Sequence, residues 1–567
     1  MPDRTTEHPH HHELAETASN AMLGPNPFIG FRPEDLAAAA GELTTEAVKH
    51  PTLVLEEQAE LVREISRVFA GKSELKPEAG DKRFADPAWA ENPFYRVWLG
   101  GYLAWTNVLN DFINKSTFDE RTKSRARFVT GLVTDALAPS NSPLNPTALK
   151  RAIDTGGTSV AHGLRNMVSD VINNQGMPSM VDKTAFEVGK NLAITKGSVV
   201  FRNEVLELIQ YKPQTETVFA IPYLLVPPQI NKFYAFDISP GKSIAEFLLQ
   251  GGVPTFVISW RNPKPAQRDW GLDTYVSAIV EAIAAVRSIS GAEKINVGGA
   301  CAGGMTLAAL LGYYAAGEEE SPINTATLLV AVLDGETGES TIFQFATKDT
   351  MEAAKAASKA RGVLDGSEMG RIFAWLRPND LVWNYWVNNY LVGNSPPAFD
   401  ILYWNSDTTR LPAKFHADLI DAFAENKFKR HDALTVLGRP IDLGKVSVDS
   451  YFVAGITDHI TPWKGVYASM RLFGGAKTFV LSAAGHIQSL INPPAAAAKR
   501  QYLINPDYVE DADQWLKSAT TAKGSWWGHW LDWLQQRSGE RVPAPAQVGN
   551  AQHPPIEDAP GTYVREK

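Results

Sequence analysis

Apolar residues recur at intervals of three and four between Pro27 and about Met180, as in the segments DLAAAAGELTTEAVKH and AELVREISRVFAGK. This spacing places apolar side chains on one face of a helix, so we predict a mainly helical N-terminal domain over residues 27–200. Beyond Phe186 the pattern changes to short apolar runs separated by amphipathic stretches. That alternation is typical of a mostly parallel sheet with helices on both faces.

The second pattern predicts a domain over residues 201–567, in which each apolar run is a buried strand. The runs are VLELIQY, FAIPYLLVPP, PTFVISW, INVGGA, TATLLVAVLD, DSYFVAGITD and TFVLSAAGH. A long aromatic-rich interval separates the fifth run from the sixth, and its length predicts a cap (lid) over the sheet at about residues 335–430. Near the end, WWGHWLDWL puts Trp526, Trp530 and Trp533 on one helical face, which is typical of core packing.

Charge and composition exclude several classes of function. A formal net charge of −9 over 567 residues argues against a nucleic-acid partner. The start, MPDRTTEHPHHHE, lacks the regions of a signal peptide, and no apolar run is long enough to span a membrane. A single cysteine cannot form an internal disulfide, so we expect a cytoplasmic protein. The histidines of HPHHHE favour a disordered tail, residues 1–26, over a metal site.

The single cysteine lies where hydrolases place a catalytic serine. The segment Gly299-Ala300-Cys301-Ala302-Gly303 has the form G-x-nucleophile-x-G, between a strand-like run and a helix-like run. In this sharp turn glycines leave room for the backbone, and the nucleophile projects at the carboxyl end of the sheet. The predicted fold class is therefore α/β, an α/β-hydrolase fold with an inserted cap and a mainly helical N-terminal domain. The alternative is that Cys301 is a small buried residue.

Chain order supports a catalytic triad. In this fold the acid and then the histidine follow the nucleophile, each after a late strand. Asp458 ends the run YFVAGITD and His486 ends TFVLSAAGH. His459 is a competing base, but it lies on the strand end of the acid, which favours a structural role. The predicted catalytic residues are thus Cys301, Asp458 and His486.

Two main-chain N–H groups are predicted to form the oxyanion hole. One belongs to the residue after the nucleophile, Ala302, and the other to a loop after an early strand. The loop PPQINKFY is the candidate, with Ile230 as the donor. A cysteine nucleophile also indicates the chemistry, because acyl transfer from a thioester to a thiol leaves the acyl group activated for a second transfer to an alcohol or amine.

Long segments of the chain resemble the polyhydroxyalkanoate synthases, most closely the class II members. The resemblance covers nearly the whole chain and is carried by these segments: NPFIGFRPEDL, FEVGKNLAITKGSVVFRNEVLELIQYKP, PPQINKFYAFDISP, SWRNP, RDWGLDTY, LRPNDLVWNYWVNNYLVGN, FDILYWNSDTTRLPAKFHADL, ITDHITPW, GHIQSLINPP and GTYVREK. One departure is Ala302, where class II relatives typically carry serine. The oxyanion hole uses the main chain there, so this departure bears on side-chain-length preference rather than on activity.

The resemblance implies polymerisation of (R)-3-hydroxyacyl-CoA, of medium chain length, into polyester with release of CoA. It implies a triad at Cys301, Asp458 and His486, and no cofactor, because the CoA thioester is the substrate. It also implies a homodimer in the cytoplasm at the surface of polyester granules, in contact with the growing chain and granule-associated proteins. Two alternatives stay open: a cysteine-dependent thioesterase or lactone hydrolase, and a non-catalytic granule-associated protein.

Overall fold

The computed structural model describes residues 33–567 except 79, 338–346, 367, 369, 371–373, 376, 495–499 and 508. The predicted disordered tail, residues 1–26, lies outside the described residues. The described residues divide into two compact units, which are treated separately below. No helix in the described ranges has the length and apolar character needed to cross a membrane.

The first unit is helical, as the three-four periodicity predicts. Its helices are α1 (Pro33–Lys49), α2 (Pro51–Phe69), α3 (Ala88–Glu91), α4 (Pro93–Lys115), α5 (Glu120–Ala136), α6 (Pro146–Asp154) and α7 (Thr158–Asn173). Two of them begin in the same way, because the Asn92 and Asn145 side chains accept main-chain N–H groups of the first turn and a proline follows each. Proline is tolerated there since the first N–H groups of a helix have no internal partner.

The first unit also contains the described residues of 374–397, which fall inside the predicted cap. Two π-helical turns, Asn379–Trp383 and Trp386–Leu391, carry their aromatic side chains. The second turn lies against α7: Tyr390 donates to Asp170 at 2.8 Å, and Gly163 is so close that a Cβ would overlap the Tyr390 carbonyl. The predicted boundary near residue 200 and the cap at 335–430 stay predictions, whereas the structure groups 374–397 with residues 33–182.

The second unit consists of residues 183–370 and 398–567, as far as they are described, and is built on a large sheet. Its elements are β1 (Gly197–Arg202), β2 (Leu206–Tyr211), β3 (Thr217–Phe219), β4 (Tyr223–Val226), α8 (Ile244–Gln250), β5 (Thr255–Trp260), α9 (Leu272–Ser290), β6 (Ile295–Ala300), α10 (Ala302–Ala315), β7 (Ile323–Leu329), α11 (Lys348–Arg361), β8 (Val363–Leu364), α12 (Asp400–Ser406), β9 (Leu411–Pro412), α13 (Ala413–Ala424), β10 (Thr435–Val436), β11 (Arg439–Pro440), β12 (Asp449–Gly455), α14 (Trp463–Met470), β13 (Lys477–Ser482), α15 (His486–Leu490), β14 (Gln501–Ile504), α16 (Ala512–Ser518), β15 (Thr520–Lys523), α17 (Trp526–Gln535), β16 (Arg541–Pro543) and β17 (Glu557–Asp558).

The sheet is parallel at its centre and antiparallel at both edges. Its strand order is β15-β14-β13-β12-β7-β6-β4-β5-β2-β1-β17. The strands from β13 to β5 pair in parallel, and β2, β1 and β17 continue one edge antiparallel. Every residue of the central strand β4 is buried, as expected of a sheet covered on both faces. Because the central strands run the same way, the loops after β4, β6, β12 and β13 lie at one edge.

The tryptophan-rich segment forms α17, and its predicted role in the core is confirmed. Trp526, Trp527 and Trp530 are almost completely buried, and Trp533 is 8% exposed. The Trp530 ring lies edge-on to Tyr223 of β4, with centroids 5.5 Å apart. The helix therefore packs directly on the central strands.

Candidate active site

The turn between β6 and α10 holds Cys301 in a strained conformation. Its φ is 50° and its ψ is −122°, a region that non-glycine residues rarely adopt. Main-chain contacts enforce the turn, because the Cys301 N–H donates to Leu329 at 2.9 Å and its carbonyl accepts from Met305 at 3.1 Å. Strain of this kind persists only where the surroundings impose it, which is common at functional sites.

The flanking glycines are required by close backbone approach. A Cβ on Gly299 would lie 2.8 Å from the Gly303 carbonyl oxygen, and a Cβ on Gly303 would lie 2.5 Å from that of Pro227. Both obstacles are main-chain atoms, which cannot rotate away. The glycines predicted from the motif therefore allow the turn to close against the loop after β4.

The acid and base lie on the loops after β12 and β13. Asp458 lies three residues past the end of β12, and His486 is the first residue of α15, so both are slightly beyond the strand ends predicted for them. The His486 Nδ1 atom is 2.7 Å from Asp458 Oδ2, and both side chains are buried, with 2% and 0% exposure. His486 also hydrogen-bonds Cys301. Since Nδ1 faces Asp458, the ring presents Nε2 to the thiol.

Burial and charge act in opposite directions on this pair. Burial alone would raise the pKa of the Asp458 carboxyl, but His486 and hydrogen bonds from Thr461 lower it overall. Burial alone would lower the pKa of His486, but the Asp458 carboxylate, together with Cys301, raises it to about 10. The pair therefore favours an ionised carboxylate beside a strongly basic imidazole.

Thr461 is a contact that sequence reasoning missed. Its hydroxyl donates to Asp458 Oδ2 at 2.6 Å and lies 3.1 Å from His486 Nδ1. Asp458 Oδ1 accepts the main-chain N–H groups of Ile460 and Thr461 at 2.9 and 3.0 Å. The signal was available, because an aspartate that begins a turn commonly accepts N–H groups two and three residues on.

The structure pairs Asp458 with His486, the predicted base. His459, the competing base considered from the sequence, is half-buried and directly follows the acid. Helix α17 contacts the helix α15 that carries His486, because the indole N–H of Trp526 donates to the Ser489 carbonyl at 2.8 Å. The core helix thus holds the loop of the histidine.

The two predicted oxyanion donors lie in the cysteine turn and in a loop that contacts it. Ala302 is the first residue of α10 and is buried. Ile230 lies in the buried loop after β4, whose Gln229 side chain donates to Thr306 of α10 at 3.0 Å. Thr306 in turn donates to the Ala302 carbonyl at 3.0 Å. These contacts join the loop of Ile230 to the first turn of α10.

The fold and this turn define an α/β-hydrolase-fold protein with a cysteine in the nucleophile position. A family model described as "alpha/beta hydrolase fold" matches residues 224–493, which confirms the predicted fold class. A second model, described as "Poly-beta-hydroxybutyrate polymerase (PhaC) N-terminus", matches residues 80–248.

Relatives of known name identify the family. The chain is 52% identical to poly(3-hydroxyalkanoate) polymerase 1 of Ectopseudomonas oleovorans, over 98% of this chain and 99% of that protein. It is 50% identical to polymerase 2 of the same organism, over 97% and 98%, and 41% identical to the polymerase subunit PhaC of Cupriavidus necator, over 88% and 85%. The chain belongs to the poly(3-hydroxyalkanoate) polymerase family and is an acyltransferase. The resemblance to the class II polyhydroxyalkanoate synthases is confirmed.

Proposed function

We propose that this chain polymerises (R)-3-hydroxyacyl-CoA into a polyester and releases CoA, through an acyl group bound covalently to Cys301. The observation that carries this proposal is the contact of the half-buried Cys301 with the buried His486–Asp458 pair, in a chain 52% identical over 98% of its length to a poly(3-hydroxyalkanoate) polymerase. Each catalytic residue lies on a different loop at the carboxyl edge of the sheet. That arrangement suits acyl transfer by a nucleophile with an oriented base.

In the first half-reaction the Cys301 sulfur attacks the thioester carbonyl of the substrate. His486 takes the thiol proton, and the negative carbonyl oxygen accepts from the N–H groups of Ala302 and Ile230. When the carbonyl re-forms, the bond to the CoA sulfur breaks, and His486 returns the proton to the departing CoA thiolate. The products are an acyl-cysteine thioester and CoA, with no net change in protons.

In the second half-reaction the 3-hydroxyl of another hydroxyacyl-CoA attacks the acyl-cysteine. His486 accepts the hydroxyl proton, an ester bond forms, and the bond to the Cys301 sulfur breaks. The proton then returns to Cys301. The lengthened chain is still a CoA thioester, so it can acylate Cys301 again. A cysteine suits this cycle because the exchange of one thioester for another conserves the activation of the acyl group.

We also propose that the enzyme prefers medium-chain substrates and that it acts as a homodimer at the granule surface. Support for these points comes from the resemblance to the class II synthases and from the identity with the two polymerases of Ectopseudomonas oleovorans. The thioester substrate supplies its own activation, so the proposed cycle uses only the chain's own residues.

The test is to incubate the purified chain with (R)-3-hydroxyacyl-CoA of graded chain length. We expect CoA release together with polyester that can be extracted into solvent. Cys301→Ala is the control, and it should release no CoA. Intact mass measurement of the stopped reaction should show an acyl adduct. Because Cys301 is the single cysteine, an adduct on a cysteine can be assigned to it. Free hydroxy acid without polymer would indicate a thioesterase, and no CoA release would indicate a non-catalytic protein.

A further inference from the structure

The loop that carries Ile230 lies outside the sheet and is held by contacts with other segments. Strand β4 ends at Val226, and the loop residues Gln229, Ile230, Asn231 and Lys232 are each at most 3% exposed. A donor in an oxyanion hole must be held within a fraction of an ångström of its place. The contacts that surround this loop therefore bear on the rate of acyl transfer.

Thr409 holds one side of the loop through two hydrogen bonds. Its main-chain N–H donates to the Ile230 carbonyl at 2.9 Å, and its hydroxyl donates to the Gln229 carbonyl at 2.6 Å. The next residue back, Thr408, forms an isolated β-bridge with Asn231. The Gln229 carbonyl lies in the same peptide plane as the Ile230 N–H, and the Ile230 carbonyl belongs to the next plane, so the two hydrogen bonds together fix the direction of that N–H.

Lys232 holds the other side through an unusual buried contact. Its ammonium group donates to the main-chain carbonyl of Glu566 at 2.6 Å, although the residue is only 3% exposed. Asn262, in the loop after β5, donates to the same carbonyl at 3.3 Å and accepts from the Arg410 N–H at 3.0 Å. Arg410 directly follows Thr409, which holds the other side of the loop. The hydrogen bonds therefore lead from Lys232 through the Glu566 carbonyl and Asn262 to the 409–410 segment, and from there back to the loop.

Residue 566 is itself held firmly against the sheet. Strand β17, at the edge of the sheet, pairs with β1, and the buried Glu207 carboxylate of β2 accepts the N–H groups of Thr562 and Tyr563 at 3.0 to 3.3 Å. The Glu566 side chain pairs with Arg261 at 3.3 Å. The carbonyl that receives the Lys232 ammonium is therefore a fixed point for the loop.

We propose that Lys232 and Thr409 are positioning residues, which hold the 229–232 loop so that the Ile230 N–H faces the developing oxyanion. This inference rests on the proposed function and adds that segment 556–567 takes part in acyl transfer through the Glu566 carbonyl. Neither side chain is assigned contact with the substrate. Their effect is exerted through the backbone that they hold.

Two reactions of the same sulfur distinguish positioning from general structural support. Acylation of Cys301 by acyl-CoA passes through an oxyanion, whereas alkylation by iodoacetamide displaces iodide from a saturated carbon and forms none. Both begin from the same nucleophile and base. As Cys301 is the single cysteine, the alkylation rate of the whole protein reports on this residue alone.

The variants are Lys232→Met, which keeps the length of the side chain, and Thr409→Val, which keeps its shape. We expect each to slow the acylation burst about 10- to 100-fold, the range set by a misplaced donor. We expect KM to change less than about threefold and alkylation less than about twofold. The control is Lys242→Met, which removes an ion pair with Asp400 at 2.8 Å in the same unit and should leave both rates unchanged.

The outcomes separate the two proposals. If the wild-type chain is not acylated by acyl-CoA at all, the proposed function fails, whatever the variants do. If the wild type is acylated and both variants acylate at the wild-type rate, the positioning role is overturned. Equal loss of acylation and alkylation in both variants would also overturn it, since the whole site would then be disturbed. Thr409→Val provides the answer if Lys232→Met does not fold.

Discussion

Replacing Asp458 by asparagine should separate the two half-reactions. Asp458 Oδ1 accepts two main-chain N–H groups, from Ile460 and Thr461, and only an oxygen can fill that position. The amide nitrogen of the introduced asparagine must therefore take the place of Oδ2, where it donates to His486 Nδ1 instead of accepting from it. That contact holds the ring proton on Nε2, the nitrogen that faces Cys301, so the ring can no longer accept a proton there.

The size of the effect follows from the same contacts. Against the opposing effect of burial, the Asp458 carboxylate and Cys301 together raise the pKa of His486 from 6.5 to about 10, and the variant loses the part of this proton affinity that the carboxylate supplies. An ordinary thiol ionises near pH 8.5, so acylation can proceed without a strong base, whereas an alcohol requires one. We expect the acylation burst to fall about tenfold or less at pH 8, and steady-state elongation to fall about 10²- to 10⁴-fold.

Rapid-quench measurement with radiolabelled acyl-CoA gives both rates from one experiment. Raising the pH from 7 to 9 should restore the burst of Asp458→Asn but not its elongation. The control is Asp442→Asn, which weakens the pair of Asp442 with the exposed His431 at 3.0 Å and should change neither rate more than about twofold. Equal slowing of burst and elongation, at every pH, would refute the division of labour.

Three further changes test other parts of the site. Cys301→Ala should abolish CoA release without lowering the melting temperature, since alanine also fits the turn; release at the wild-type rate would contradict the nucleophile assignment. His486→Gln should lower kcat about 10²- to 10⁴-fold and His459→Gln much less, and the reverse ranking in CoA-release assays would show that the base is misassigned. Gly303→Ala should destabilise the fold by about 1–3 kcal/mol in denaturant unfolding, because its Cβ would lie 2.5 Å from a main-chain oxygen. Gly528→Ala on α17, with nothing within 4 Å, is the control, and equal stability of the two variants would contradict the close approach.

Much of the fold was predictable because its signals are local. The buried central strands are continuous apolar runs, and the cysteine turn is marked by glycines whose spacing is set by backbone contact. The edge strands β14, β15 and β17 were not predicted. Strands β15 and β17 are short and mostly polar, and β14 is only four residues long and partly buried, so none of the three provides a long apolar run to detect.

The packing partner of the aromatic segment around Trp386 could not be predicted from its sequence pattern. A run rich in tryptophan and tyrosine is equally typical of a cap and of a buried partner for helices. What places its described residues in the first unit is a set of distant contacts, such as the donation from Asn166 to the Asn389 carbonyl at 3.0 Å. Gly163 leaves room for the Tyr390 carbonyl, but the sequence around Gly163 does not indicate which segment packs against it.

The side chains that hold the loops of the site could not be predicted from the sequence, for one physical reason. Lys232 donates to a carbonyl 334 residues away, and Trp526 donates to one 37 residues away. In each case the acceptor is main chain, which every residue type supplies, so the contact demands nothing of the side chain at Glu566 or Ser489. Only the donor is specified, and a buried lysine or tryptophan is compatible with many acceptors. The triad could be predicted because its three members must be particular residue types in a fixed chain order. The residues that support the triad could not be predicted, because each of them donates to a main-chain carbonyl, and the sequence does not mark which carbonyl will be the acceptor.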